Sequence, residues 1–175
     1  MSEIIPDNKD WTIVLSEPCQ ECGQDVRGLT PEDITARFSQ QIQDFFPVLE
    51  RPTSRERQDP TRWSDQEYVV HVAQMLQVMV QRLNLMLSQD APTFPNWDQD
   101  QAAVLGQYHL LEPAEAAGLL RAATAEFTTR LQGISPRDYE RQGLRSNGAA
   151  FTITTLTQYA WHDVLHHAWD VGIAR

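Results

Sequence analysis

Residues 64–88 read SDQEYVVHVAQMLQVMVQRLNLMLS. Ser64 followed three residues later by Glu67 is a capping-box start: the hydroxyl accepts from one of the first backbone N–H groups, and the carboxylate returns to the Ser64 amide. Tyr68, Val72, Met75, Leu76, Met79, Leu83 and Met86 then recur at spacings of three and four, which predicts an amphipathic helix with one buried face. Asp90-Ala91-Pro92 ends it. His71, Gln74, Gln77, Gln81, Arg82 and Asn84 interrupt the apolar run, so it is no membrane span.

Working outward, Thr30-Pro31 with Asp33 starts an earlier helix, and Ile34, Phe38, Ile42, Phe45 and Leu49 form its stripe. Residues 51–62, with two prolines and many charges, read as a loop. Past the second helix, TFPNWDQD at 93–100 is a polar and aromatic loop, with Asp98 or Asp100 placed to cap the next helix. An alanine-rich region over 101–131 is divided at Glu112-Pro113, and Leu119, Leu120, Ala123, Phe127 and Leu131 mark its inward face. Residues 135–150 predict a long connection. A last helix runs from near 151–154 to about Val171, using Leu156, Tyr159, Ala160, Val164, Leu165, Ala168 and Trp169. Four amphipathic helices and no persuasive strand pair predict an all-α four-helix bundle over residues 30–175. Residues 1–29 form an irregular N-terminal arm with a short helical turn near Trp11.

The length of 175 residues fits one such domain. A formal charge of −10 repels phosphate backbones and argues against nucleic-acid partners. Met1 to Asp7 carry neither a basic start nor an apolar stretch, and two cysteines are too few for a secreted disulfide scaffold; the expectation is a cytoplasmic protein without a membrane partner.

Of five histidines, His162, His166 and His167 crowd the last helix. His162 and His166 lie about 40° apart around a helix axis and about 6 Å apart along it, so their imidazoles can converge on one ion. Alone, that pair is a weak motif. His71 strengthens it: in a four-helix bundle, metal sites are built from inward side chains on facing helices, and one histidine from the second helix plus the pair on the fourth supply three ligands. Three protein ligands leave coordination positions open to water or substrate. His167 points about 100° away from His166 and reads as an orienting or structural residue, with replacement of one of the ligands as the alternative. Asp163 and Asp170 are candidate partners for the outer N–H of a ligating imidazole.

The segment Trp63-Ser64-Asp65-Gln66-Glu67-Tyr68-Val69-Val70-His71 and the tail from Arg145-Ser146-Asn147-Gly148-Ala149-Ala150-Phe151-Thr152 to Tyr159-Ala160-Trp161-His162-Asp163-Val164-Leu165-His166-His167 resemble the DinB-like superfamily. That superfamily includes YfiT-like metal hydrolases and mycothiol-dependent maleylpyruvate isomerases. The resemblance covers residues 30–171. It implies an up-down-down-up bundle and one divalent metal, zinc or nickel, held by His71, His162 and His166. It further implies a low-molecular-weight thiol cosubstrate such as mycothiol or bacillithiol, used by an S-transferase or isomerase. A metal-dependent hydrolase and a non-catalytic metal-binding or stress-response bundle are the alternatives. The expected partners are a small thiol or electrophile, with a homodimer plausible.

Cys19-Gln20-Glu21-Cys22-Gly23 is a C-x-x-C in the arm. No second cysteine pair is present, and the distance to H-x-x-x-H is far too long for a zinc finger. Three readings stay open: a reversible redox pair, two ligands completed by distant residues, or packing. Arg145, with Arg141, is a candidate contact for an anionic substrate group. His109, near a helix junction, reads as structural.

Overall fold

The structure, a computed structural model, describes residues 4–174; residues 1–3, the start of the expected arm, and Arg175 lie outside the described residues. Four long helices form the bundle: α1 (Pro31–Gln43), α3 (Asp65–Ser88), α5 (Pro113–Gln132) and α6 (Ile153–Asp170). Two short ones, α2 (Phe46–Leu49) and α4 (Gln99–Leu105), lie in the connections. α1 and α3 each pack against both α5 and α6. No helix among the described residues is long and apolar enough to cross a membrane.

The start signals hold. Thr30 with Asp33 and Ser64 with Glu67 form reciprocal capping boxes, and the Asp98 carboxylate accepts from the Gln101 amide at 2.9 Å. The expected first helix is broken, because Pro47 has no N–H to continue the ladder; the chain turns at Asp44 and Phe45 and resumes as α2. Ile34, Phe38, Ile42, Phe45 and Leu49 are nevertheless all buried. On α5, Leu119 is exposed while Leu120, Ala123, Phe127 and Leu131 are buried; on α6, Trp169 lies largely outside the core.

The expectation of no strand pair needs correction. β1 (Thr93–Phe94) pairs in parallel with β2 (Gln142–Arg145), and β2 pairs antiparallel with β3 (Ala150–Thr152). Strands of two to four residues are too short to display a period of two in sequence. The β2–β3 turn uses Gly148 at φ +96°, a conformation that glycine adopts without steric cost. The sheet lies across the end of α3 and delivers the chain to the Thr152 cap of α6.

Gly143 is the tightest point of that packing. A Cβ there would sit 2.7 Å from Cε1 of Phe94 and 2.8 Å from Cγ of Met86. Gly143→Ala is expected to lower stability by about 1–3 kcal/mol, measured by urea denaturation, without changing helix content. An unchanged midpoint would show that the sheet does not bear on α3.

Candidate metal centre

The N-terminal turn of α3 and the C-terminal turns of α6 meet at one end of the bundle. Arg51 joins them, one guanidinium nitrogen donating to Asp65 Oδ2 at 2.8 Å and to the Val171 carbonyl at 2.8 Å. Arg62, on the loop before α3, bonds the Asp170 carboxylate. These ties hold His71 opposite the acidic and imidazole side chains of α6.

Two groups of ligand-type atoms result, each with all members within 4.8 Å of one another: His71, Asp163 and His167, and Cys19, Cys22, His162 and His166. His71, His162 and His166, the trio expected from the sequence, do not form one such group. The reason is helical phase. Asp163 and His167 repeat the four-residue spacing of His162 and His166, but one residue later and so about 100° around the axis. That second stripe faces α3.

In the first group, His71 Nε2 lies 3.4 Å from Asp163 Oδ2, and His167 Nε2 lies 3.5 Å from Asp163 Oδ1. His71 is wholly buried, stacked on Trp97 at 5.4 Å and flanked by Trp63 at 5.0 Å between ring centroids. Both His71 ring nitrogens and Asp163 Oδ2 are buried without a hydrogen-bond partner among the described residues. His167 is oriented differently: its Nδ1 bonds Asp170 Oδ2 at 2.8 Å, which leaves Nε2 aimed at Asp163. Asp170 therefore hydrogen-bonds His167 rather than one of the three histidines expected to hold a metal. Asp163 and His167, expected to be supporting residues, stand among the group itself.

In the second group, Cys19 Sγ is 3.7 Å from His166 Nδ1, and Cys22 Sγ is 3.7 Å from His162 Nε2. Both cysteines are free thiols, with no disulfide between them. The indole of Trp11, in a short 3-10 turn of the arm (Trp11–Leu15), meets the His166 ring edge-on at 4.7 Å.

Burial disfavours charge on His71, His162 and His166 and lowers all three, His162 to about 4. It acts the same way on His167, but Asp163 and Asp170 outweigh it and raise that imidazole to about 9. For Asp163, burial would raise the carboxyl, yet the charge of His167 and contacts with His167 and His71 hold it well below the usual carboxylate range. Burial raises the Cys22 thiol.

A cavity of about 400 Å³ opens beside both groups, lined in part by Trp11, Arg62, Tyr68, Tyr159, Asp163 and His167. Arg145 does not line it. Its Nε donates to Asn147 within the β2–β3 turn at 2.8 Å, and its guanidinium lies over Phe151. Arg141 donates to the carbonyls of Met86 and Gln89 at the end of α3. His109 is exposed on a short 3-10 turn.

The sequence profile of the DinB superfamily matches residues 26–169. The chain belongs to the DinB superfamily. No curated protein sequence matches it. Among solved structures it is similar to YfiT from Bacillus subtilis, described as a probable metal-dependent hydrolase with an unusual four-helix bundle topology: 17% identity, TM-score 0.65, over 89% of this chain and 91% of that one. It is also similar to the mycothiol-dependent maleylpyruvate isomerase, with 14% identity and a TM-score of 0.64 over 83% of this chain. It spans only 62% of that longer chain. At these identities the likeness establishes a shared DinB bundle, the fold expected from the sequence.

Asp170→Asn removes one of the two carboxylates that favour the imidazolium of His167. In chelator-treated protein the His167 midpoint, raised to about 9 with both in place, is expected to fall by about one unit or more in histidine NMR titrations. An unchanged midpoint would show that Asp170 does not set the state of this ring.

Proposed function

We propose that the protein is a metal-dependent enzyme in which His71, Asp163 and His167 hold one divalent ion, zinc or nickel. Its cosubstrate is a low-molecular-weight thiol, used in S-transfer or isomerisation. The observation that carries the reading is the set of unpartnered buried atoms: both ring nitrogens of His71 and Asp163 Oδ2. Buried polar groups are almost always hydrogen-bonded, so such a cluster calls for a ligand. The separations of 3.4 and 3.5 Å match the roughly 3.4 Å between nitrogen and oxygen donors on a tetrahedral ion with bonds near 2.0–2.2 Å. Such an ion supplies Lewis acidity, favouring the ionised form of a thiol or water beside it.

The remaining roles fall to the chain itself. Asp170 fixes the His167 tautomer by accepting from Nδ1. Trp97 and Trp63 wall His71 from water. Burial raises the Tyr68 and Tyr159 phenols, so both keep their protons at neutral pH, and both residues line the cavity. Three protein donors leave a coordination position open, and the cavity that Asp163 and His167 line gives a small molecule access to it.

The mycothiol dependence named for the maleylpyruvate isomerase supports the thiol cosubstrate, whereas the description of YfiT supports hydrolysis at the same three residues. Protein purified without a histidine tag is expected to lose one equivalent of divalent metal in His71→Ala and in Asp163→Asn. Unchanged metal content in both would overturn the site. With zinc loaded, mycothiol or bacillithiol at about 100 times its Kd is expected to stabilise the protein by about 2.7 kcal/mol, read as a rise in Tm. A Tm indifferent to both thiols would remove the thiol chemistry and favour hydrolysis.

A further inference from the structure

The four donors of the arm and α6 are not explained by that reading. We infer that Cys19, Cys22, His162 and His166 form a second zinc site, ligated by four protein side chains, that fastens the N-terminal arm to the last helix.

Three features carry this inference. The first is distance. Two donors on a tetrahedral zinc ion, with Zn–S about 2.3 Å and Zn–N about 2.0–2.1 Å, lie about 3.6 Å apart. Both sulfur–nitrogen separations here are 3.7 Å. The second is burial. Cys19, His162 and His166 are each less than a tenth exposed, Cys22 is half-buried, and the Trp11 indole packs on His166 where that ring borders the cavity, so four protein atoms can complete the coordination. Four protein ligands mark a structural site, and two thiolates with two imidazoles suit zinc.

The third feature is local chain geometry. Gly23 adopts φ +73°, and its amide donates to the Cys19 carbonyl at 2.9 Å, while the Cys19 amide donates to the Gln24 carbonyl at 2.9 Å. This tight turn presents both sulfurs on one side. Across from it, His162 and His166 share one face of α6. His166 ligates through Nδ1, and its Nε2 is left facing Glu21 Oε2 at 3.7 Å and Asp170 Oδ2 at 3.8 Å. The cysteine and histidine spacings are those of a zinc finger, but 140 positions separate Cys22 from His162. The ion therefore closes a loop that spans most of the chain, and it holds Trp11 and Glu21 as a wall of the cavity.

The test uses full-length protein purified without a tag and loaded with cobalt(II). The wild type is expected to bind two equivalents and to show near-ultraviolet thiolate-to-cobalt charge transfer. Cys19→Ser/Cys22→Ser is expected to bind one equivalent without that band. His71→Ala is expected to keep the band while losing the other equivalent, so failure here and failure of the first site are told apart. Wild-type thiols provide a measurement independent of whether the variant folds: in zinc-loaded protein, iodoacetamide alkylation of both cysteines is expected to be slower by roughly tenfold or more than after chelation. A cobalt protein without the thiolate band, alkylation rates indifferent to chelation, or an intact mass lower by two hydrogens, as in a disulfide, would each overturn the second site.

Discussion

Successive residues on an α-helix are turned about 100° from one another. On α6 that step separates two donor pairs of identical spacing, His162 with His166 and Asp163 with His167. One pair looks toward the arm and the other toward α3. The two groups of donors, the cavity beside them and the docking of the cysteine-bearing part of the arm all depend on how α6 is rotated in the bundle. Its rotation is set by the buried Leu156, Ala160, Val164 and Ala168, which leave no freedom to exchange the two stripes.

Packing and chemistry are coupled through a few charged residues. Arg51 pins the start of α3 to the end of α6, and Arg62 holds Asp170, which in turn orients His167. The C-terminal end of a helix favours positive charge, so the location suits both an imidazolium and a divalent cation. Asp163 and Asp170 favour the imidazolium of His167, so under the proposed reading an ion competes with the proton on Nε2 and metal affinity is expected to rise with pH.

Much of this was readable in the residues. The capping boxes at Thr30 and Ser64 located two helix starts, and the stripes of α1 and α3 identified core residues such as Phe38, Leu76 and Met86. The histidines of α3 and α6 marked the end of the bundle where the ligand-type side chains gather. What stayed hidden depended on three-dimensional phase. Two overlapping pairs four residues apart cannot be ranked by spacing alone, so His162 and His166 drew attention that Asp163 and His167 shared. A carboxylate at the first position also weakens the histidine signal. The cysteine pair was visible with its spacing, but its partners lie at the far end of the chain. The short strands carry too few residues for any periodic signal, and Arg145, in a polar turn, gave no sign that its guanidinium folds back over Phe151.

The division of α6 between two ligand sets is most directly tested by zinc X-ray absorption on the fully loaded, tag-free protein. The account predicts about one sulfur per zinc on average, at about 2.3 Å, alongside nitrogen and oxygen at about 2.0–2.1 Å. Only the sulfur shell should disappear when both cysteines become serine. A wild-type spectrum with light-atom ligands alone would contradict it, and would return His162 and His166 to a single shared site.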